Sequence, residues 1–248
     1  ETGVMAAIAA SKGVTGALDV LEGPAGMGAA MSGNADWRKA TSSLGEIYNI
    51  EAITFKNHGC CGHTFAAIDG LLFIMQDTQI TANDIANIAI ATYGPAVSIT
   101  DRVDPKTPQE CKFSMQYVLA HAAHYGSVRI EAFEAERMAD PAIRAMLGQI
   151  DLGIDPAVDA EFPARRAAHV SVTTKDGRRL THYQPTRKGD PDLPLSNDEL
   201  DAKFIELTSP VLGSELTNSL LQNLWQLDEI SLATALGFAV LKDVQHGR

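Results

Sequence analysis

Apolar positions along this chain repeat with two different periods, and the switches between them mark out the elements. Residues 1–50 are rich in Ala and Gly and read as helical. Residues 5–10 end a helix stopped by Gly13, Thr15 caps a short helix through Leu21 that Gly23-Pro24 ends, and residues 25–31 form another, ended by Gly33. Residues 46–55 alternate imperfectly with β-branched and aromatic side chains and predict a strand. Residues 64–76 are apolar on most sides, which predicts a buried helix. Thr81 and Asp84 have the spacing of a capping box, and residues 88–93 then predict a short buried strand closed by Gly94-Pro95. A polar loop over 100–110 leads into a helix over 109–124, followed by short helices over 132–139 and 141–147, the second with Pro at its first position. Residues 167–174 and 179–183 alternate around Lys175-Asp176-Gly177, the signature of a hairpin. A charged, Pro-rich linker over 186–194 then returns to three helices, over 197–207, 214–223 and 228–241.

This order predicts an α+β chain: a mainly helical, discontinuous domain over 1–48 and 189–248, with a smaller α+β domain inserted over 49–188. At 248 residues the chain can bury a sizeable core. Its net charge of −11 argues against nucleic acid and anionic membrane surfaces as partners. Three cysteines, two of them adjacent, form no disulfide framework, so a reducing cytoplasm is the expected compartment. No apolar run reaches the ~18 residues that a membrane span needs.

The chemistry concentrates in Lys56-Asn57-His58-Gly59-Cys60-Cys61-Gly62-His63-Thr64, directly ahead of the buried helix. The first turn of a helix carries unpaired N–H groups and the positive end of the helix dipole, so it attracts anions. Gly59 and Gly62 allow close backbone approach, Lys56 supplies a charge for a carboxylate or phosphate, and His58 or His63 can move protons near neutral pH. An acidic protein that takes an anionic ligand must gather its cations locally, which singles out Lys56. The plainer reading of the same residues is buried cysteines and hydrogen-bonded surface histidines. Structural zinc would need a second Cys/His pair at ligand spacing, and none appears downstream. Arg102 in the polar loop and Ser114 on the following helix could reach a carboxylate, although a loop cation is more often simply solvated.

The run from Lys56 to the Ala66-Ala67-Ile68-Asp69 helix start resembles the signature of the MmgE/PrpD family. Three further stretches agree in order: GVTGALDVLEGPAGMGAAMSG over 13–33, CKFSMQYVLAHAAHYG over 111–126, and RKGDPDLPLSNDELDAKF over 187–204. The resemblance implies a helical domain with an inserted lid domain, a homodimer, and proton removal beside a carboxylate on a small polycarboxylate. It implies no metal or organic cofactor. Known reactions in the family are those of 2-methylcitrate dehydratase, cis-aconitate decarboxylase and iminodisuccinate epimerase. Family members are longer, and the part expected to be missing here is the N-terminal half of the helical domain. That half supplies an Asp, a Thr, a His and a second Lys to the family's site. Cys61 stands where cis-aconitate decarboxylases place a histidine, and Phe65 where many members place another.

The expectation is therefore a cofactor-independent lyase of the dehydratase type acting on a di- or tricarboxylate such as 2-methylcitrate. An epimerase of a small dicarboxylate and a non-catalytic remnant are the alternatives. The expected catalytic residues are Lys56, His63 and His58. Lys56, Cys61, Gly62, Thr64, Arg102 and Ser114 are expected to bind substrate.

Overall fold

The computed structural model describes residues 2–229. The chain divides into two compact units, Glu1–Ala52 and Ile53–Arg248. The first carries helices α1 (Thr2–Ser11), α2 (Met27–Met31) and α3 (Trp37–Thr41), with a 3₁₀ turn at Asn49–Ala52. The helix expected over 15–21 is absent, and residues 18–22 form turns instead. Gly16 and Gly23-Pro24 leave fewer than two turns between them, too few to repay helix nucleation. The expected strand over 46–55 is likewise absent, because alternation makes a strand only where a ladder partner exists. The Phe55 amide instead donates to the Gly189 carbonyl at 2.8 Å.

The second unit is built on one sheet. Its elements are α4 (Phe65–Thr78), β1 (Ile85–Thr92), α5 (Gly94–Thr100), α6 (Pro108–Lys112), α7 (Met115–Tyr125), α8 (Ala135–Met138) and α9 (Pro141–Met146). There follow β2 (Ile150–Ile154), α10 (Pro156–Ala160), β3 (Ala168–Thr174), β4 (Arg179–Gln184), α11 (Asn197–Leu212) and α12 (Ser214–Trp225). The sheet order is β2-β1-β3-β4, with β1 parallel to β2 and both remaining pairs antiparallel. The fold is thus a mixed α+β one. Among the described residues no helix is long and apolar enough to cross a membrane.

Alternation along β1 and β3 sends Ile88, Ile90, Val170 and Val172 into a single core with Phe65, Ile68 and Leu71 of α4 and Val118 and Leu119 of α7. Burying each of these large side chains contributes about 1.5–3 kcal/mol, so the packing of α4 and α7 against the sheet dominates stability. The approach is close at Gly70, where a Cβ would sit 2.7 Å from Val170 Cγ2. Val170 is β-branched and fixed in a strand, so it has little freedom to yield. Gly70→Ala is expected to destabilise the protein by about 1–3 kcal/mol, read as a lower urea midpoint; an unchanged midpoint would show that the helix shifts freely on the sheet.

Other departures from the sequence pattern have local causes. Gly94-Pro95 follows the strand as expected and also opens α5, a helix not expected, since Pro fits the first helical turn. The helix expected over 109–124 is two, α6 and α7, because the Ser114 side chain accepts from Tyr117 N and begins a second helix. Strand β2 and helix α10 were not expected: IDLGI is short, carries Gly153, and owes its pairing to β1, far away in sequence. The hairpin turn forms with Gly177 at φ 88°. The helix expected from 197 runs on to Leu212, and the one expected over 228–241 lies, from residue 230 on, outside the described residues.

Candidate functional site

The residues ahead of α4 do not stay extended. Cys61 N donates to Lys112 O at 2.9 Å, and Thr64 N to Cys61 O at 3.0 Å, which folds Gly62–Thr64 into a 3₁₀ turn feeding the helix. Thr64 holds that turn from inside. It is fully buried, with Oγ1 donating to Cys61 O at 2.8 Å and lying 3.2 Å from Cys60 Sγ. Burial pushes the Cys60 thiol up to about 12, although the Thr64 hydroxyl opposes this, so Cys60 is an inert core thiol.

A pocket of about 400 Å³ opens on the outer side of the turn, lined by Lys56, Cys61, Gly62, His63, Arg166 and Arg187 among others. Three cations thus face one small space in a chain of net charge −11. Lys56 is exposed, its Nζ 3.4 Å from the Cys60 carbonyl. Arg187 is 8% exposed and rigidly held. Its Nε donates to Asp190 Oδ2 at 2.9 Å, while Nη2 donates to Asp190 Oδ1 at 2.6 Å and to Thr54 Oγ1 at 3.3 Å. Nη1, without a hydrogen-bond partner among the described residues, lies on the Gly62 side, only 3.1 Å from where a Gly62 Cβ would stand. Burial would raise the Asp190 carboxyl, but the hydrogen bonds from Arg187 and Thr54 outweigh it and hold the group below the usual range. Arg166 is half-buried, its guanidinium 6.0 Å from the Phe162 ring centre.

His63 is half-buried beside these cations, with Nδ1 2.8 Å from Tyr93 Oη. Burial lowers its pKa from the ordinary value, and Arg166 and Arg187 lower it further, because each disfavours the imidazolium. Tyr93 is pushed up to about 12 by burial, partly offset by the same two arginines. Both rings are therefore neutral at neutral pH.

The expected site residues separate into groups. Lys56, Cys61, Gly62 and His63 share the cationic pocket. His58 lies elsewhere: it is 5% exposed, with Nε2 3.0 Å from Asp69 Oδ1 and its ring edge against Phe65. It borders a larger hollow of about 690 Å³ shared with Asp69, Arg129 and Lys188, and a smaller one of about 240 Å³ that it shares with Lys56, Arg129 and Lys203. Asp69 Oδ2 also accepts from Lys188 N at 2.8 Å, so this pair ties the turn to the stretch after β4. Arg102 is exposed and borders a separate small hollow with Glu110 and Phe113. Ser114 is fully buried, its hydroxyl donating to Arg102 O and accepting from Tyr117 N. Its one proton is taken and its oxygen is fully buried, so it is not presented to a ligand. Arg166, Arg187 and Tyr93 were not among the expected residues. The Arg165-Arg166 doublet just ahead of a strand, and an arginine three residues before an aspartate in a supposed linker, were the available signals.

The chain is similar to known proteins over part of its length. The chain is 29% identical to cis-aconitate decarboxylase of Homo sapiens over 145 residues, 57% of this chain and 30% of that protein. It is 33% identical to 2-methylcitrate dehydratase of Cupriavidus necator over 105 residues, 40% of this chain and 22% of the relative. The 2-methylcitrate dehydratase of Escherichia coli strain K12 is 26% identical over 142 residues, 54% of this chain and 29% of the relative. The chain thus spans less than a third of the length of the curated relatives it matches. Over residues 58–227 it matches the model of the MmgE/PrpD C-terminal domain, and the chain belongs to the MmgE/PrpD family.

Proposed function

We propose that this chain carries part of the site of a lyase, of the dehydratase type, that removes a proton beside a carboxylate of a small di- or tricarboxylate such as 2-methylcitrate. The observation that carries the reading is the convergence of Lys56, Arg166 and Arg187 on one pocket with a histidine that is neutral at neutral pH. Removing a proton next to a carboxylate pushes an electron pair onto the carboxylate oxygens, and that developing charge is what fixed cations stabilise. Arg187, held by Asp190 and Thr54, suits a carboxylate that stays bound throughout. Lys56 suits the group whose charge grows. His63 meets the reacting end of the substrate as a neutral ring that can donate a proton, and Cys61 forms a wall. His58, paired with Asp69, keeps the turn in place and stands outside the chemistry.

The relatives' names support the same class: a decarboxylase of cis-aconitate and dehydratases of 2-methylcitrate act on molecules rich in carboxylates. Independence from any cofactor, a homodimer, a cytoplasmic setting and a lid formed by residues 49–188 belong to the same proposal. They rest on the resemblance and on cysteine usage.

Proton NMR in heavy water tests the reading on the protein in its full natural length, offered 2-methylcitrate, citrate, cis-aconitate and iminodisuccinate in turn. The expected result is a gain or loss of vinyl protons with at least one of them. Exchange of an α-proton without loss of a group would make the protein an epimerase, and no change with any of them would remove the lyase reading.

A further inference from the structure

Tyr93 stands between β1 and α5 and is 1% exposed, with its ring stacked on Phe162 at 4.7 Å between centres and 14° between planes. Its Oη has a single hydrogen-bond partner among the described residues, His63 Nδ1 at 2.8 Å. A phenol has a proton to give, and a buried O–H without an acceptor costs about 1–3 kcal/mol. A neutral imidazole has one nitrogen that donates and one that accepts. If Nδ1 carried the ring proton, it would donate to Oη and leave the phenolic proton with no protein acceptor. If Nδ1 offers its lone pair, both groups are satisfied.

We propose that Tyr93 donates its phenolic proton to Nδ1 of His63 and so fixes the imidazole as the tautomer with its proton on Nε2, the ring nitrogen left for the pocket. Tyr93 is then a positioning residue. The inference rests on the functional reading of the pocket and sharpens it: in the resting state His63 is a hydrogen-bond donor. Its Nε2–H meets a carboxylate or the oxygen that gains charge as the α-proton leaves, in the manner of a neutral histidine electrophile. The base that takes that proton is another group. The charged and titratable side chains around His63 are Lys56, Arg166, Arg187 and Cys61 in the pocket and Tyr93 behind the ring, and both arginines oppose a doubly protonated ring.

The test is a proton–nitrogen correlation spectrum of the full-length protein labelled with nitrogen-15 histidine, at neutral pH and without substrate. The His63 signals are assigned by their loss in His63→Gln. The expected result is a protonated Nε2 with an unprotonated Nδ1 in the parent, and Nδ1 and Nε2 shifts that move toward a mixture of tautomers in Tyr93→Phe. A proton on Nδ1, or on both nitrogens, in the parent overturns the proposal. So does a Tyr93→Phe spectrum identical to the parent's. Should Tyr93→Phe fail to fold, the parent spectrum decides alone. Because no turnover is involved, the Nε2–H form in a protein inert toward every polycarboxylate would sink the functional reading and leave this assignment standing.

Discussion

Arg187→Met is expected to lower the protein's unfolding free energy by about 3–5 kcal/mol. The substitution keeps most of the side chain's volume and removes its charge and its donors. Asp190, 9% exposed, would then be a buried carboxylate that keeps only the hydroxyls of Thr54 and Thr186 as side-chain donors. Breaking one half of a buried pair costs far more than the pair contributes relative to an apolar replacement, since the penalty is that of the abandoned charge. The measurement is urea unfolding, with the midpoint falling and the slope unchanged. A loss below about 1 kcal/mol, the size of a surface pair, would show that Asp190 finds water or another donor. Acid sensitivity supplies an internal control. Asp190 titrates below its ordinary value in the folded protein, so the stability it contributes is present above the unfolded carboxylate's pKa and is lost as pH falls through the folded one. That part of the acid dependence should disappear in Arg187→Met.

The second large effect concerns turnover rather than stability. Lys56→Ala is expected to lower kcat by roughly a hundredfold to a thousandfold, the range seen when one charge-stabilising donor is removed from a transition state. Lys56 is exposed, and among the described residues its side chain makes one weak bond, to the Cys60 carbonyl. Its removal should therefore shift stability by no more than about 0.5 kcal/mol. An effect on KM alone would mean that the lysine holds substrate and transition state equally. Activity within about tenfold of the parent would take Lys56 out of the chemistry altogether.

These two residues also show what the sequence made legible. Lys56, Cys61 and His63 stand within a few positions of one another, so local composition alone marked them, and the turn ahead of α4 keeps neighbours in sequence neighbours in space. Arg187 and Arg166 sit more than a hundred residues further on. One lay in a stretch read as linker because Pro and charge usually mean solvent, the other in a doublet with no local partner. Only the sheet order brings them to the turn, and no periodicity encodes that order. Tyr93 looked like one more core aromatic closing a strand; its hydroxyl became meaningful once Phe162 and His63 were seen around it. The helices α4 and α7 were visible because each carries an apolar stretch long enough to be buried on most sides. The false strand over 46–55 failed for the opposite reason, since a strand exists only by agreement with a neighbour.

The clasp between residues 54–55 and 187–190 bears on the order in which the chain becomes native. Thr54 bonds Asp190 across 136 positions, Phe55 N meets Gly189 O, and Gly189, at φ 99°, leaves no space for a side chain beside the Phe55 carbonyl. Closing so long a loop costs entropy before any contact repays it. The hairpin and the helices on it can consolidate through nearer contacts, whereas the pocket needs both ends of this long detour together. The geometry of the pocket is therefore expected to be a late product of folding, after the scaffold of hairpin and helices.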